Sequence, residues 1–193
     1  PIFRKMIPCL RDGQKIVVVP GNFAAFRLMK MMREAGISRR ISISETASMP
    51  YACRISAFDS VTVYKRKLKL QLATSPSSDA AVVRDALNDV FRGYVEYVAA
   101  DNLLAIDCDN INYTLHPFPV LLNYGAIECN PKTFRHYIDG ITPLISQQME
   151  SLDEERLVVG KKLGLNLQGV LSQLKMYYGT NDSTSLFEYV HSP

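Results

Sequence analysis

An uninterrupted β-branched run, Lys15-Ile-Val-Val-Val-Pro20, is the first clear pattern in this chain, and a Pro-Gly pair ends it. A continuous apolar run of this length is typical of a strand buried on both faces, as in a parallel sheet. Residues 23–35 then have helical spacing, with Asn22 as the expected N-cap and Gly36 as the expected C-terminal stop. A second strand is expected over residues 41–45. Together these segments predict a strand–helix–strand unit of a doubly wound α/β sheet.

More strand-like sequence follows this unit. Residues 61–64 and 68–72 alternate with period two around the basic residues 65–67, which predicts a hairpin or an extension of the sheet. The basic residues are interpreted as a solvated turn. A helix is predicted over residues 80–91, with Asp79 as its N-cap.

From about residue 102 onward the pattern is helical. The predicted helices cover residues 103–115, 120–127, 143–163 and 165–177. Thr142 and Pro143 fit a cap followed by proline in the first helical position. The sequence therefore predicts an α/β part over residues 1–76 and an all-helical part over residues 77–193.

The composition is that of an ordinary globular protein. Of 193 residues, 47% are hydrophobic and 21% are charged, and the net charge of +3 is too small to indicate binding to nucleic acid or to a membrane surface. The apolar runs are shorter than the roughly 18–20 residues of a membrane span, and no signal-peptide pattern opens the chain. The four cysteines are widely spaced and form no CxxC pair. A reducing cytoplasm is therefore the expected location.

Several common active-site motifs are absent from this sequence. It has no GxGxxG, no P-loop and no GxSxG, so no phosphate cradle or serine nucleophile can be assigned. Asp101, Asp107 and Asp109 lie close together but have no further ligands at metal-binding spacing. They are interpreted as a solvated helix face, and no metal site is expected.

His116 is the strongest acid–base candidate. Offsets of four and seven residues would place Asn112, His116 and Asn123 on one helical face with apolar neighbours, if Pro117 does not break the helix. A histidine between two amides suits a polar group in a pocket, because imidazole exchanges protons near neutral pH. Spacing alone favours the alternative, a core histidine that hydrogen-bonds a backbone carbonyl.

The stretches 45–54 (ETASMPYACR) and 112–128 (NYTLHPFPVLLNYGAIE) resemble the octopine/nopaline (opine) dehydrogenase family. Residues 134–143 (FRHYIDGITP) are similar to a further segment of that family, in the same order. The resemblance implies the end of a Rossmann domain followed by a helical domain like the C-terminal one of 6-phosphogluconate dehydrogenase. It also implies an NADH- or NADPH-dependent reduction of the imine formed between an amino acid and a 2-keto acid.

The resemblance also assigns roles to individual residues. His116 is similar to the catalytic histidine of the family, which would protonate or polarise the keto-acid carbonyl. The other expected site residues are those for substrate, Ser48, Asn112, Asn123 and Arg54, and those for the nicotinamide cofactor, Pro20 and Gly21. No nucleic-acid or membrane partner is implied. Apolar helix faces could pair in a homodimer, although nothing in the spacing requires it.

Two family segments have no counterpart in this sequence. The glycine-rich dinucleotide loop would precede Pro1, and the segment with an aspartate that orients the histidine would follow Pro193. We therefore expect the chain by itself to bind dinucleotide poorly and to be inactive, so that catalysis belongs to a parent protein. Two alternatives stay open: a non-catalytic helical module for dimerisation or ligand binding, and a related dehydrogenase of 2-keto or 2-hydroxy acids.

Overall fold

The computed structural model describes residues 1–192, which divide into two compact units. The first unit, Pro1–Asn110, is built on a sheet. The second begins at Ile111, and the regular elements described in it are all helices. No helix within the described residues has the length and apolar character that a membrane span requires.

A four-stranded mixed sheet forms the centre of the first unit. The strands of this unit are β1 (Lys15–Val18), β2 (Ser42–Thr46), β3 (Tyr51–Ala57), β4 (Ser60–Arg66), β5 (Lys69–Ser75) and β6 (Glu96–Ala99). The sheet has the order β1-β2-β5-β6, and β1–β2 and β5–β6 are parallel pairs. The β2–β5 pair is antiparallel. The chain returns from β2 through a hairpin rather than a crossover helix, and this explains the reversal within the expected parallel sheet.

The predicted strand–helix–strand unit is confirmed. The helices of the first unit are α1 (Ile2–Met6), α2 (Ala24–Glu34), α3 (Ala80–Val90) and α4 (Leu103–Cys108). Strand β1 runs parallel to β2, with Lys15 opposite Ser42 and Val18 opposite Glu45. All five residues of β2 are buried because this strand lies between β1 and β5.

The start of α2 differs from the prediction. Asn22 and Phe23 both have left-handed backbone angles, with φ of 56° and 61°, so Phe23 rather than Asn22 occupies the N-cap position. The helix turns its small and apolar residues Ala25, Leu28 and Met32 into the core. Gly36 has φ of +67°, as expected for a residue that ends a helix.

Residues 61–64 and 68–72 do not pair with each other as a hairpin, and the alternative prediction, an extension of the sheet, holds for the second segment. Residues 61–64 belong to β4, which pairs with β3 around a turn at Phe58 and Asp59, whereas residues 69–72 belong to β5 in the main sheet. Period-two alternation identifies each strand, but it does not specify a partner. Lys67, interpreted as part of a solvated turn, is in fact buried.

The observed division between the units lies later than the expected boundary at residues 76 and 77. It falls between Asn110 and Ile111. Residues 80–99 stay with the first unit because α3 packs on β5 and β6, and β6 extends the sheet beside β5. Helix α4 also packs on β2 and β5.

The second unit contains six helices among its described residues. They are α5 (Asn112–Leu115), α6 (Pro117–Leu122), α7 (Tyr124–Cys129), α8 (Pro143–Lys162), α9 (Val170–Tyr178) and α10 (Leu186–His191). The Thr142 hydroxyl accepts a hydrogen bond from the backbone N–H of Ile145, which confirms the predicted cap of α8. Helix α9 begins five residues later than predicted, after Gly164 in the left-handed region (φ +73°) and Gly169 at the N-cap.

Candidate functional site

The turn after β1 brings Pro20 and Gly21 to the edge of the sheet where β1 and β2 have their carboxyl ends. The buried Gly21 donates its N–H to the carbonyl oxygen of Thr46 at 3.0 Å, so the end of β1 is fixed against the end of β2. Pro20 is half-buried beside it. The carboxyl edge is where open α/β sheets bind ligands, which suits the two residues predicted to contact a cofactor.

Gly21 lies too close to Glu45 for any larger residue. A Cβ atom at position 21 would lie 2.7 Å from the Cβ, Cδ and Oε2 atoms of Glu45. Glycine is therefore needed here for a close approach of two chain segments, and it does not have a positive φ.

Substitution of Gly21 by alanine should consequently destabilise the first unit. We expect the free energy of unfolding to fall by about 1–3 kcal/mol, since the added methyl group must displace a fully buried side chain. Chemical denaturation of the full-length protein measures this effect. Gly125→Ala is the matched control, because a Cβ there meets nothing within 4 Å, and equal stability of the two variants would contradict the prediction.

Two buried carboxyl groups hold the first turn of α2. Glu45 and Asp107 are 0% and 1% exposed. Glu45 Oε1 accepts the N–H of Ala25, and Asp107 Oδ1 accepts the N–H of Phe23 at 2.6 Å. Burial and the charge of Asp107 raise the pKa of Glu45 to about 7, and burial likewise raises the pKa of Asp107. The interpretation of the Asp101–Asp109 cluster as a solvated face is therefore wrong for Asp107, and also for Asp109, which is 3% exposed.

These carboxyl groups restrict what the start of α2 can bind. Helix N-termini attract phosphate because their first N–H groups are unpaired. Here the N–H groups of Phe23 and Ala25 are already bonded to Asp107 and Glu45. These two N–H groups are therefore not available to an anion such as a pyrophosphate.

Ser48 lies in the same corner. The Thr46 hydroxyl donates to the Ser48 carbonyl oxygen at 2.9 Å, and Ser48 is 8% exposed. Lys67 fixes the following residues, since its Nζ donates to the Met49 carbonyl at 2.7 Å and its N–H to the Pro50 carbonyl at 2.9 Å. Burial lowers the pKa of Lys67 to about 8. Gly21, Thr46 and Ser48 are thus brought together at the ends of β1 and β2 by one backbone hydrogen bond and by the Thr46 hydroxyl.

Arg54 is not brought into this corner by any observed contact. It lies on β3 of the projecting hairpin, is exposed, and donates to the neighbouring Cys53 carbonyl at 2.8 Å. Its role in binding a carboxylate stays a prediction.

In the second unit, His116 lies between α5 and α6 and is exposed. Its Nε2 is 3.4 Å from the Tyr137 hydroxyl, and its ring centroid is 5.3 Å from that of His136. His136 in turn has Nε2 3.2 Å from the Leu115 carbonyl. The His136 ring thus contacts a backbone carbonyl, and the His116 ring lies beside the Tyr137 hydroxyl.

The predicted single helical face of Asn112, His116 and Asn123 is not formed. Pro117 starts a new helix, and Asn123 lies between α6 and α7. The amide nitrogen of Asn123 donates to the carbonyls of Pro119 at 2.8 Å and Gly140 at 3.0 Å, so its two amide protons are engaged. Asn112 is half-buried and keeps its place near the histidine through its carbonyl oxygen, which accepts the His116 N–H at 3.3 Å.

Sequence reasoning missed Glu45, Tyr137 and the location of Asp107. Glu45 stands at the end of a predicted strand, and only the central position of that strand in the sheet buries it. The aromatic and basic stretch around residues 134–137 gave a signal for Tyr137, but not for its position beside His116.

Within residues 1–192 no group of three or more His, Cys, Asp or Glu side chains could hold a metal ion.

The chain thus combines a unit built on a mixed sheet with a helical unit that presents a histidine. Residues 99–193 match the family model described as NAD/NADP octopine/nopaline dehydrogenase, alpha-helical domain. The opine dehydrogenase of Arthrobacter sp. (strain 1C) is 33% identical over 177 residues, which cover 91% of this chain and 48% of that protein. The chain is thus similar to the opine dehydrogenases, and its residues 99–193 match the model of their alpha-helical domain.

Solved structures agree on the fold. Apo yersinopine dehydrogenase has a TM-score of 0.74 and 14% identity, over 99% of this chain and 50% of that one, and the enzyme is also known with NADP+ bound. Octopine dehydrogenase with NADH and L-arginine has a TM-score of 0.71 and 18% identity, over 97% and 49%. It has also been solved with NADH and pyruvate. The chain spans about half the length of these relatives.

Proposed function

We propose that the full-length protein is an opine dehydrogenase, which reduces the imine of an amino acid and a 2-keto acid with NADH or NADPH. The observation that carries the proposal is the exposed His116 beside the Tyr137 hydroxyl, within the stretch that matches the family's helical domain. A relative of 33% identity named opine dehydrogenase supports the same activity.

In this proposal His116 is the proton donor of the reaction. An exposed imidazole can hydrogen-bond the keto-acid carbonyl and then protonate the oxygen that leaves as the amine adds and the imine forms. The Tyr137 hydroxyl, 3.4 Å from Nε2, helps to orient the ring. The reduced nicotinamide, when bound, supplies the hydride.

The remaining predicted residues bind and orient in this proposal. Pro20 and Gly21 offer a neutral turn to the nicotinamide, and the Ser48 hydroxyl and the Arg54 guanidinium bind substrate polar groups. Asn123 can offer only its amide oxygen, because its amide protons are engaged, so it would accept from the amine of the amino acid. Asn112, which lies next to His116, also binds substrate in this proposal.

The proposal extends to the organisation of the protein. The first unit is the end of a nicotinamide-binding Rossmann domain, and the second is the substrate and catalytic domain. Solved relatives bind NADH or NADP+, so either cofactor agrees with the fold. A cytoplasmic location and a homodimer remain predictions.

A coupled-substrate assay tests the proposed activity. Purified full-length protein is mixed with NADH or NADPH, pyruvate and each common amino acid in turn, and cofactor oxidation is followed with each substrate omitted. We expect oxidation to need both the keto acid and one class of amino acid. Equal rates without any amine would indicate a 2-keto acid dehydrogenase, and no turnover with any combination would indicate a non-catalytic module. Either result overturns the proposal.

A further inference from the structure

The strongest unexplained feature of the first unit is the buried pair Glu45 and Asp107. They come from different elements, β2 and α4, and together they receive the first N–H groups of α2. Neither has a cationic partner among the described residues. Two ionised carboxylates in this position would each be fully desolvated and would repel one another.

Each carboxyl group has one oxygen left over. Glu45 Oε2 and Asp107 Oδ2 are buried and have no hydrogen-bond partner other than each other's carboxyl group. Two such acceptors can be satisfied together only if a proton lies between them, because a protonated carboxyl group donates as well as accepts.

We propose that Glu45 and Asp107 share one proton in the native protein, and that this pair is a positioning device for the turn at residues 20–23. The remaining single negative charge lies at the N-terminus of α2, where the helix dipole favours it. The groups that face Glu45 are the Asp107 carboxyl group, the backbone N–H groups of Ala24 and Ala25, and Gly21. Those that face Asp107 are Glu45 and the N–H of Phe23.

The raised pKa of Glu45 determines how the stability of the native state changes with pH. The pKa of Glu45 is raised from 4.5 to about 7, so the native state holds a proton that the unfolded state releases. The stabilisation is therefore complete below pH 4.5 and is lost as the pH rises towards 7. Over this interval the unfolding equilibrium constant should rise roughly a hundredfold through this pair.

The functional consequence rests on the proposed function. Loss of the shared proton places two charges against Gly21 and the start of α2, beside the residues proposed to contact the nicotinamide. We therefore expect NADH affinity to weaken in the same pH range in which the stability falls.

The test compares the pH dependence of unfolding in the full-length protein and in Glu45→Gln. Glutamine keeps the shape of protonated glutamate and donates to Asp107, but it cannot release a proton. We expect the fall in stability between pH 4.5 and about 7 to be strongly reduced in the variant. Glu34→Gln is the matched control, since Glu34 is an exposed glutamate at the end of α2 and this variant should keep the wild-type slope. An unchanged slope in Glu45→Gln would overturn the proposal.

A measurement on the wild-type protein covers the case in which Glu45→Gln does not fold. Infrared difference spectroscopy should detect the carbonyl stretch of a buried protonated carboxyl group below pH 7 that disappears above it. Absence of that band would overturn the shared proton. None of these readouts needs cofactor or substrate. A pair that titrates as expected in a protein that binds neither NADH nor NADPH would overturn the proposed activity and leave the shared proton established.

Discussion

Replacement of His116 by glutamine is expected to lower the kcat of the proposed reductive condensation by about 10²–10⁴-fold. Glutamine can hydrogen-bond a carbonyl group, but it cannot give up a proton near neutral pH. His116 is exposed on the second unit, and exposed positions usually tolerate substitution, so the variant should fold normally. The effect should therefore be on turnover, with the melting temperature close to that of the wild-type protein.

His191→Gln is the matched control for this experiment. His191 lies in the same unit, but both its ring nitrogens contact backbone carbonyls, Nδ1 at 2.9 Å from Phe187 and Nε2 at 3.1 Å from Ile138. It should retain turnover within a few-fold. Steady-state kinetics with saturating cofactor measure kcat for both variants. A kcat for His116→Gln as high as that for His191→Gln would show that His116 is not the proton donor.

Replacement of Asp153 by alanine is expected to lower the free energy of unfolding of the second unit by about 3–5 kcal/mol. Asp153 is 5% exposed and links three elements. Its Oδ1 accepts from Arg156 Nε at 2.9 Å and from the Thr114 hydroxyl at 3.4 Å, and its Oδ2 accepts the Val170 N–H at 2.7 Å. Alanine would leave the guanidinium without this carboxylate in a largely buried place and the first N–H of α9 without its acceptor.

Glu154→Ala removes the same charge from the next residue of α8, where the side chain is exposed. Surface substitutions of this kind usually change stability by less than about 0.5 kcal/mol. Urea denaturation of both variants provides the comparison. A loss in Asp153→Ala no larger than that in Glu154→Ala would mean that the buried Asp153 carboxylate is not what holds α8 against α9.

Much of the fold follows from local patterns in the sequence. The apolar run in β1 and the helical spacing after it were enough to predict β1, α2 and β2, and Thr142-Pro143 fixed the start of α8. The wrong predictions concern strand pairing, because a local pattern identifies a strand but does not specify the strand beside which it lies. The alternation of residues 68–72 predicted a strand, but its assignment to the main sheet beside β2 depends on a contact distant in the chain.

The candidate site was predictable only in part. The family resemblance was carried by short segments, and it identified His116, Pro20 and Gly21 as residues of interest. It could not show that Tyr137 lies beside the His116 ring, because these residues are 21 positions apart and meet only through the packing of the second unit. Nor could it show that the Asn123 amide group donates both of its protons to backbone carbonyls.

By itself the sequence determined the fold class and the order of the main helices and strands, because these depend on periodicity. It also determined the resemblance to the opine dehydrogenases, because that depends on short segments of residues. Only the tertiary structure decided which polar groups are buried and what they face. Glu45 and Asp107 are 62 residues apart, and each by itself looks like an ordinary surface acid. Their environment arises when β2 takes the centre of the sheet and α4 packs against it, which removes water from both carboxyl groups at once.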